Sequence, residues 1–312
     1  MTNTLPWYQR VGNQRDWVWR GWQTRYTFVR PLETAEDSMP LILLHGFGAS
    51  IGHWRQNLAE LGQHHTVYAL DMVGFGASEK AATTYSISFW VEQVYEFWRT
   101  FINRPAVLIG NSIGSLICMA AAAAHPDMVG GIVMMSLPDP SLEMDLVPVP
   151  MRPAVVGIKR LVASLMGPVF HLVRRSGIVR KWARIAYANP EAVTDELVEI
   201  LVGPAQDRGA AQAFVAIFKA MSTPEQGLSA REILPSLQVP MLLIWGKQDR
   251  MVPYQLARPQ QFTRYNPNLI LLELDQCGHC PHDECPEEVN QAILEWISSW
   301  PVQVRADVVV TA

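Results

Sequence analysis

The chain alternates between short apolar runs and longer amphipathic segments. Runs of mostly apolar residues that are too short for a helix are typical of strands buried on both faces, as in a parallel sheet. Such runs occupy residues 40–44, 66–70, 106–109, 131–135, 239–245 and 268–274. Residues 17–30 differ, because large apolar and polar side chains alternate there around Gly21, which predicts a two-stranded hairpin.

Helical patterns separate these predicted strands. Residues 86–102 carry aromatic and aliphatic side chains at three- and four-residue spacing, which predicts a helix that packs its aromatic residues in the core. A second helix follows Ser112 and ends at His125, and a closing helix covers residues 287–300. Strands that alternate with helices predict a parallel sheet with right-handed crossovers, whose ligands bind beyond the carboxyl ends of the strands.

The alternation stops between Pro138 and Pro235, where the pattern indicates helices interrupted by prolines. We therefore expect a single α/β core formed by residues 1–137 and 234–312. A helical lid at residues 138–233 interrupts that core. The pattern assigns no structure to the tail at residues 301–312.

Composition narrows the class of protein. The chain has 312 residues, of which 49% are hydrophobic and 17% charged, which is enough for a sizeable core. A net charge of −4 gives no preference for nucleic acid, so we expect no nucleic-acid partner. The first twenty residues lack the pattern of a secretory signal, which predicts a cytoplasmic protein. The longest apolar segment, residues 153–173, is broken by Lys159 and Arg160, so no spanning helix is predicted.

A candidate nucleophile lies in the centre of the chain. The apolar run 106–109 stops at Gly110, Ser112 follows, and Gly114 precedes an alanine-rich segment. This order predicts a strand, a sharp turn and a helix, with glycines where a β-carbon would collide across the turn. The Ser112 hydroxyl is then exposed beside the N–H of Ile113 at a helix N-terminus. A glycine-rich turn whose serine merely caps the helix is the alternative.

A second loop suits the stabilisation of negative charge. The strand 40–44 runs into a glycine-rich loop, residues 45–50, at the same predicted edge of the sheet. Glycines let backbone N–H groups approach a ligand closely. We expect the N–H groups of Phe47 and Ile113 to form an oxyanion hole. An ordinary strand-to-helix turn is the alternative for this loop.

A serine nucleophile needs a base and a carboxylate, and both follow strands later in the chain. His279 lies in the loop after the last strand, and Asp249 lies in the loop after the strand before it. Serine, acid and histidine in this order are expected in a nucleophile-elbow hydrolase. Asp139 competes with Asp249 for the role of the acid. Asp71, which precedes the serine, is expected to hold its own loop.

Glu284 and the cysteines near His279 leave several interpretations open. Glu284 either caps the closing helix or fixes the His279 loop. Cys277, Cys280 and Cys285 with their neighbouring histidines superficially resemble a zinc site. A second pair of ligands is missing, so free thiols are favoured and no metal is predicted.

Five motifs together resemble the α/β-hydrolase family: His45-Gly-Phe-Gly, Asp71-x-x-Gly-x-Gly-x-Ser78, Gly110-Asn-Ser-Ile-Gly114, Trp245-Gly-Lys-Gln-Asp249 and Gly278-His-Cys-Pro-His-Asp-Glu-Cys-Pro286. The set is similar to the serine hydrolases of photosynthetic lineages that include pheophytinase and related chlorophyll-dephytylating esterases. The resemblance covers residues 17–300. It implies an esterase without a cofactor, in which Ser112 attacks, His279 moves the proton and Asp249 orients it. Ser115 departs from the pattern, since glycine is usual there, and the lid carries no matching motif.

The lid has an unusual charge distribution. Residues 151–190 contain eight Lys or Arg and no Asp or Glu, with many aliphatic residues between them. This combination is typical of a helix that lies on an anionic membrane. The alternative is a lid whose apolar side covers the catalytic edge while its cations face water. Both interpretations are compatible with a lipid-like substrate.

The leading functional prediction is a carboxylic ester hydrolase with a large apolar substrate, of the phytyl ester or glycerolipid type. Haloalkane dehalogenases and epoxide hydrolases are excluded, because they need an aspartate nucleophile where Ser112 stands. A C–C bond hydrolase, a thioesterase or a cofactor-free haloperoxidase would use the same three residues. A catalytically silent binding protein on the same scaffold is the remaining alternative.

Overall fold

The structure is a computed structural model that describes residues 5–32, 38–139, 141, 147–222 and 229–300, apart from the side chains of Arg160 and Ser164. The predicted tail at residues 301–312 lies outside the described residues.

A single twisted sheet organises the described residues. Its eight strands are β1 (Arg15–Trp19), β2 (Trp22–Val29), β3 (Leu41–Leu44), β4 (Val67–Leu70), β5 (Ala106–Asn111), β6 (Val129–Met135), β7 (Met241–Gly246) and β8 (Leu269–Leu274). Their order in the sheet is β1-β2-β4-β3-β5-β6-β7-β8. The β1–β2 hairpin is antiparallel to its neighbours and the strands from β4 to β8 run parallel. The predicted hairpin and mostly parallel sheet are confirmed.

Helices cover both faces of this sheet. In chain order they are α1 (Trp7–Arg10), α2 (Leu58–Leu61), α3 (Ile87–Phe101), α4 (Ile113–Ala124), α5 (Arg152–Val173), α6 (Ser176–Ala186), α7 (Asp195–Val202), α8 (Ala210–Met221), α9 (Ala230–Ile233), α10 (Tyr254–Ala257), α11 (Pro281–Glu284) and α12 (Pro286–Ser298). On one face, α3 and α4 pack against the strands, and α12 packs on the other. The predicted α/β-hydrolase fold is confirmed by this arrangement.

The apolar runs of the sequence form the buried centre of the sheet. Every residue of β3, β4, β5, β6 and β7 is buried, since helices cover both faces of these strands. The edge strands β1 and β8 expose part of their residues.

The aromatic residues of α3 were predicted to be core residues, and Phe101 corrects that prediction. Trp90 and Phe97 are fully buried, but Phe101 is 37% exposed. Phe101 packs edge-on against Trp17 and lies against Tyr26 of the hairpin. The hairpin is too narrow to cover the last turn of α3, so this ring stays at the surface.

Among the described residues, five helices, α5 to α9, lie between β6 and β7 in the chain, and the first four of them fall within residues 147–222. We call residues 147–222 the insertion. Helix α5 packs against α8, and α6 packs against α7. A small separate core of Tyr187, Leu197 and Val198 also takes in Cys280 from the loop after β8. The lid boundaries at 138 and 233 stay a prediction, because residues 140, 142–146 and 223–228 lie outside the described residues.

Candidate active site

Ser112 lies in the sharp turn between β5 and α4. Its backbone has φ 54° and ψ −116°, a left-handed conformation that a residue with a β-carbon adopts only under strain. The turn is fixed because the Ser112 N–H donates to the carbonyl of Met135 at 2.8 Å. Strain of this kind projects the hydroxyl beyond the carboxyl end of β5.

The two glycines beside Ser112 allow this turn. A β-carbon on Gly110 would lie 2.3 Å from the carbonyl carbon of Gly114, and one on Gly114 would lie 2.2 Å from the Leu44 carbonyl oxygen. Both atoms belong to the backbone and cannot move aside. Ser115 stands where glycine was expected. Its hydroxyl oxygen accepts from the N–H of Met135 at 2.9 Å, and its one hydrogen lies within donating distance of the carbonyl oxygens of Gly110 and Met135. This serine therefore fastens the turn to β6.

The predicted base and acid meet at the same edge of the sheet. The Nδ1 atom of His279 lies 2.8 Å from Oδ2 of Asp249. The other Asp249 oxygen accepts hydrogen bonds from the N–H groups of Met251 and Val252, both at 2.8 Å. The carboxylate is buried and has every oxygen engaged, so it holds the histidine ring in one orientation.

Asp139, the competing acid, has other partners. One oxygen accepts from the N–H and the hydroxyl of Ser141, and the other accepts from the N–H of Ala230. Asp139 thereby joins the loop after β6 to the start of α9. The sequence favoured Asp249 with Asp139 as the competitor, and in the structure Asp249 is the one that is hydrogen-bonded to His279.

The nucleophile turn and the histidine loop touch through their neighbours. The side-chain amide of Asn111 donates to the carbonyl of His279 at 2.9 Å. The described residues contain no hydrogen bond between the Ser112 hydroxyl and the His279 ring. Catalytic hydrogen bonds are often long without substrate and tighten in the complex.

The predicted oxyanion loop passes directly beside Ser112. A β-carbon added to Gly46 would lie 3.0 Å from Oδ1 of Asn111 and 3.5 Å from the Ser112 β-carbon. The N–H of Phe47 follows in this loop. The N–H of Ile113 is the first in α4, where an N–H group has no acceptor within its own helix.

His45 fixes the shape of this loop. Its Nε2 accepts a hydrogen bond from the N–H of Met72 at 3.2 Å, so the proton is on Nδ1, which donates to the Gly46 carbonyl at 2.8 Å. Burial lowers the pKa of His45 to about 4, and the ring is neutral near pH 7. A neutral ring with one defined tautomer keeps the loop in a single conformation.

Asp71 has the structural place that the sequence predicted. Its two oxygens accept from the N–H groups of Ile51 and Ala77, at 2.6 and 2.7 Å. Burial raises the pKa of this carboxyl group to about 6, while the two N–H donors oppose the shift. Asp71 therefore joins the loops after β3 and β4 and does not reach His279.

Glu284 fixes the His279 loop, which was one of two predicted roles. One oxygen accepts from the N–H groups of Gly278 and Cys280, on either side of His279, and the other accepts from the N–H of Ala188. The N–H of His279 itself donates to the Ala186 carbonyl at 2.8 Å. The predicted base, His279, is thus held jointly by the core and the insertion.

A buried polar cluster beside this loop was missed by the sequence analysis. The Tyr187 hydroxyl donates to Asp283 at 2.5 Å and accepts from Nε2 of His53 at 2.9 Å. Arg55 pairs with Asp283 at 2.8 Å and with Glu196 at 3.1 Å. These residues are scattered along the chain and form no motif, so only the fold brings them together.

The cysteines near His279 are free thiols. Cys277 and Cys285 share a hydrogen bond, which lowers the pKa of Cys285 and raises that of Cys277. Burial raises the pKa of Cys280 well above its usual value. In the part of the chain that the structure describes, no group of three or more His, Cys, Asp or Glu side chains is arranged to hold a metal ion.

Aromatic rings line a path from the oxyanion loop into the insertion. Phe47 contacts Phe214 of α8 with ring centroids 5.7 Å apart, and Phe214 contacts Phe170 of α5 at 4.9 Å. Phe75 flanks Phe47 on the core side at 5.8 Å. The surroundings of the candidate oxyanion hole are therefore apolar on the side that faces the insertion.

Known proteins resemble this chain along most of its length. Pheophytinase from Arabidopsis thaliana is 25% identical over 305 residues, which cover 84% of this chain and 61% of that protein. The chain thus spans less than two thirds of that relative. The 2-hydroxymuconate semialdehyde hydrolase of Pseudomonas sp. (strain CF600) is 29% identical over 257 residues, which cover 80% of this chain and 83% of the relative.

A solved structure and a family model agree with these relatives. A serine hydrolase involved in carbazole degradation superposes with a TM-score of 0.73 at 24% identity, covering 91% of this chain and 98% of that structure, and shares the fold. The model of the alpha/beta hydrolase family matches residues 41–292. This range includes the turn at Ser112, the loops of Phe47 and His279, and the insertion. The resemblance predicted from the motifs is confirmed, and the chain belongs to the alpha/beta hydrolase family.

Proposed function

We propose that this hydrolase cleaves carboxylic esters with Ser112 as the nucleophile, and that its substrate is large, apolar and lipid-like. One observation carries the proposal. A buried aspartate orients a histidine at 2.8 Å, on the sheet edge where a strained turn presents Ser112. A serine hydroxyl is a poor nucleophile unless an oriented neutral imidazole takes its proton.

In the proposed reaction, the Ser112 oxygen attacks the ester carbonyl carbon while its proton passes to Nε2 of His279. Asp249 stabilises the resulting imidazolium through Nδ1. The tetrahedral intermediate collapses, the alcohol leaves with the proton from His279, and an acyl-enzyme on Ser112 remains. Water then attacks this acyl group with the same histidine as base, which releases the acid and restores the serine.

The backbone N–H groups of Phe47 and Ile113 are proposed to bind the oxyanion of each tetrahedral intermediate. The loop of Phe47 lies against Ser112, and the dipole of α4 favours negative charge at its N-terminus. Both donors belong to the backbone, so no side-chain substitution removes either of them. His45, which fixes the loop, offers an indirect test of this role.

The apolar nature of the substrate is inferred from its proposed surroundings. The rings of Phe47, Phe214 and Phe170 form an apolar path from the oxyanion loop to α5. Such a path suits a long acyl or isoprenoid alcohol group and offers little to a charged one. The relative named pheophytinase supports a phytyl-type ester within this class.

A C–C bond hydrolase is the second candidate. The relative from Pseudomonas is named for 2-hydroxymuconate semialdehyde and has the higher identity of the two relatives described above. The same serine and histidine could serve that reaction. The aromatic path favours the ester substrate, and the assay below separates the two.

The test is hydrolysis of p-nitrophenyl esters of increasing acyl length, with pheophytin a and 2-hydroxymuconate semialdehyde as further substrates. Wild type is compared with Ser112→Ala and with Ser299→Ala, a matched control at an exposed serine in the last turn after α12. We expect activity to rise with acyl length and to fall by about 10⁶-fold in Ser112→Ala. Ser299→Ala should behave as wild type.

Each outcome has a distinct meaning. Phytol release from pheophytin a would fix the substrate class. Turnover of the semialdehyde without turnover of any ester would replace the ester proposal by the second candidate. Equal inactivity of wild type and Ser112→Ala on every substrate would contradict both, and would support a binding protein on a hydrolase scaffold.

A further inference from the structure

Helix α5 presents an apolar stripe to the surface. Eleven residues of α5 are exposed among those whose side chains the structure describes. Nine of them follow one another at spacings of three or one and share one face, and the other two are Pro153 and His171. All nine residues are apolar: Ala154, Gly157, Ile158, Leu161, Val162, Leu165, Pro168, Val169 and Leu172. Ordinary surface helices carry polar residues on this face.

The exposed area is concentrated in this part of the molecule. Ile158, Leu161 and Leu165 are each about 60% exposed, at 61%, 62% and 60%. More than half of the exposed large apolar side chains in the described residues lie between positions 149 and 185. A contiguous apolar surface of this kind marks a site of contact with another apolar surface.

Helix α6 adds an aromatic residue and cations. Trp182 is 55% exposed and Ile185 is 42% exposed. Lys181 and Arg184 are exposed beside them in the same helix. Tryptophan and long basic side chains are the residues that prefer the boundary between lipid chains and headgroups, because each has an apolar body and a polar end.

The charge of the segment identifies the partner as anionic. Residues 151–190 hold eight basic residues and no acidic one. Arg180 is paired with Asp195 of α7, whereas Lys181 and Arg184 are exposed beside Trp182. A second copy of this chain would bring the same face against itself across a two-fold axis and place like charges together. An anionic lipid surface meets both the apolar stripe and the cations.

The other side of the insertion is fastened to the core, so this face stays outward. Phe170 of α5 is buried and contacts Phe214 of α8. Tyr187, just after α6, is held by His53 and Asp283 of the core. A simple lid would turn its apolar residues inward, whereas the outer face of α5 carries an apolar stripe.

The length of the helices favours lying on a membrane. Within the described ranges, no single helix is long and apolar enough to cross a bilayer. Val149–Ala163 and Leu165–Val173 reach the necessary length and composition only as a pair that bends by 55°. A helix with one apolar face, joined through its other face to a folded core, lies in the plane of the headgroups.

We propose that this surface is a docking face for a bilayer containing anionic phospholipids. The docking face consists of the nine stripe residues of α5 together with Lys181, Trp182, Arg184 and Ile185. The stripe enters the boundary of the acyl chains while the cations meet the headgroup phosphates. Binding does not depend on the reaction at Ser112. Docking in this orientation also places the aromatic path from Phe170 to Phe47 directly beneath the lipid surface.

Flotation with fluorescent vesicles through a sucrose gradient tests the docking face. The full chain is mixed with vesicles of pure phosphatidylcholine or of phosphatidylcholine with one third phosphatidylglycerol, and floated at low and high salt. The variants are Leu161→Glu/Leu165→Glu in the stripe, Lys181→Glu/Arg184→Glu in the cations, and Ile270→Glu as a control. Ile270 is 55% exposed but lies in the edge strand β8, away from the insertion.

We expect wild type and Ile270→Glu to bind the anionic vesicles at least tenfold more tightly than pure phosphatidylcholine, with loss of binding at high salt. The stripe variant should lose at least tenfold in binding to either vesicle. The cation variant should lose the difference between the two vesicles. Circular dichroism and hydrolysis of a short soluble ester check that each variant is folded.

Three results would overturn the proposal. The first is a wild type that does not float with anionic vesicles, and the second is a stripe variant that floats as well as wild type. The third is a dimer that sediments without lipid and that Leu161→Glu/Leu165→Glu dissociates, which would assign the face to a second copy. Because vesicle binding is read without turnover, failure of ester hydrolysis leaves this result interpretable.

Discussion

Helices α4 and α5 are both rich in apolar residues, but they lie in opposite environments. Helix α4 begins at the nucleophile turn and buries ten of its residues in succession, from Ile113 to Ala122. Helix α5 buries Ala163 and Phe170 and exposes a whole stripe of apolar side chains. Helix α4 is buried along ten successive residues because the sheet and neighbouring helices pack around it, whereas the rest of the insertion covers only one face of α5.

The comparison shows that hydrophobicity does not by itself determine where a helix lies. Burial of apolar area stabilises a fold by about 25 cal/mol per Å². The residues of α4 obtain that stabilisation within the chain. The large side chains of the α5 stripe obtain only part of it there, because they are 38% to 62% exposed. We assign the area that stays exposed to the proposed contact with a bilayer. Four predictions follow from this contrast, in order of decreasing effect.

The largest effect is expected from the acid of the core site. Asp249→Asn should lower the rate of ester hydrolysis by about 10⁴-fold, because the amide no longer holds His279 in the required tautomer. The matched variant Asp139→Asn should keep most of the activity, since Asp139 contacts Ser141 and Ala230 instead. Steady-state kinetics on one p-nitrophenyl ester measures both. A loss in Asp139→Asn equal to that in Asp249→Asn would contradict the assignment of the acid.

The second largest effect is the difference in stability loss between a leucine in the core and a leucine in the stripe. Leu43→Ala in β3 removes a fully buried side chain, and we expect the free energy of unfolding to fall by about 2–5 kcal/mol. Leu161→Ala removes a side chain that is 62% exposed, and we expect a change within about 0.5 kcal/mol. Urea denaturation without lipid measures both. Equal losses would show that α5 is covered in solution.

A pair of glycines gives a third contrast. Gly114→Ala in α4 places a β-carbon 2.2 Å from the Leu44 carbonyl oxygen, and we expect a loss of about 1–3 kcal/mol together with a disturbed nucleophile turn. Gly157→Ala in α5 meets no atom within 4 Å, and we expect a gain of up to about 1 kcal/mol from helix propensity. Thermal and urea unfolding check the opposite signs. Destabilisation by Gly157→Ala would show that the stripe is packed.

The smallest effect concerns the contact that fastens the insertion. Burial lowers the pKa of His53 to about 4, so this residue stabilises the fold above pH 6.5 and loses that contribution as the pH falls toward 4. Between pH 6.5 and pH 5 the loss is about 1.5 kcal/mol. His53→Gln keeps a donor for the Tyr187 hydroxyl and does not titrate.

Unfolding measured at both pH values in wild type and His53→Gln isolates this contribution. Asp71 shifts in the opposite sense, because its raised pKa favours the fold at low pH, but it is the same in both proteins. The wild type should therefore lose about 1.5 kcal/mol more than the variant on acidification. Identical losses would show that His53 is not buried in the neutral form.

The glycine-rich motifs and the alternation of strands and helices along the chain could be predicted because they depend on local geometry. Glycine is required at positions 110 and 114 because a β-carbon there would collide with the backbone in the turn that carries Ser112. Apolar runs buried on both faces leave a sequence pattern that few other structures share. The predictions of the sheet, the hairpin and the family rest on such local signals, and they are confirmed.

The rest depends on distances between remote parts of the chain. Three features join residues that are far apart in sequence. They are the hydrogen bond that selects Asp249 over Asp139, the contact of Glu284 with Ala188, and the cluster of His53, Tyr187 and Asp283. Their side chains carry no pattern that a linear analysis detects. The roles of Ser112, Asp249, His279, Phe47 and Ile113 stay predictions until the variants above are measured, as does the cytoplasmic location.

By itself, the sequence determined the mostly parallel sheet, the nucleophile turn and the unusual charge of residues 151–190, because backbone sterics and hydrophobic periodicity act over a few residues. Only the tertiary structure decided which aspartate meets His279 and which way α5 faces. A helical pattern defines an apolar side, but the direction of that side depends on which neighbours cover it. For α5, helix α8 covers the inner side through the contact of Phe170 with Phe214 and leaves the apolar stripe outward.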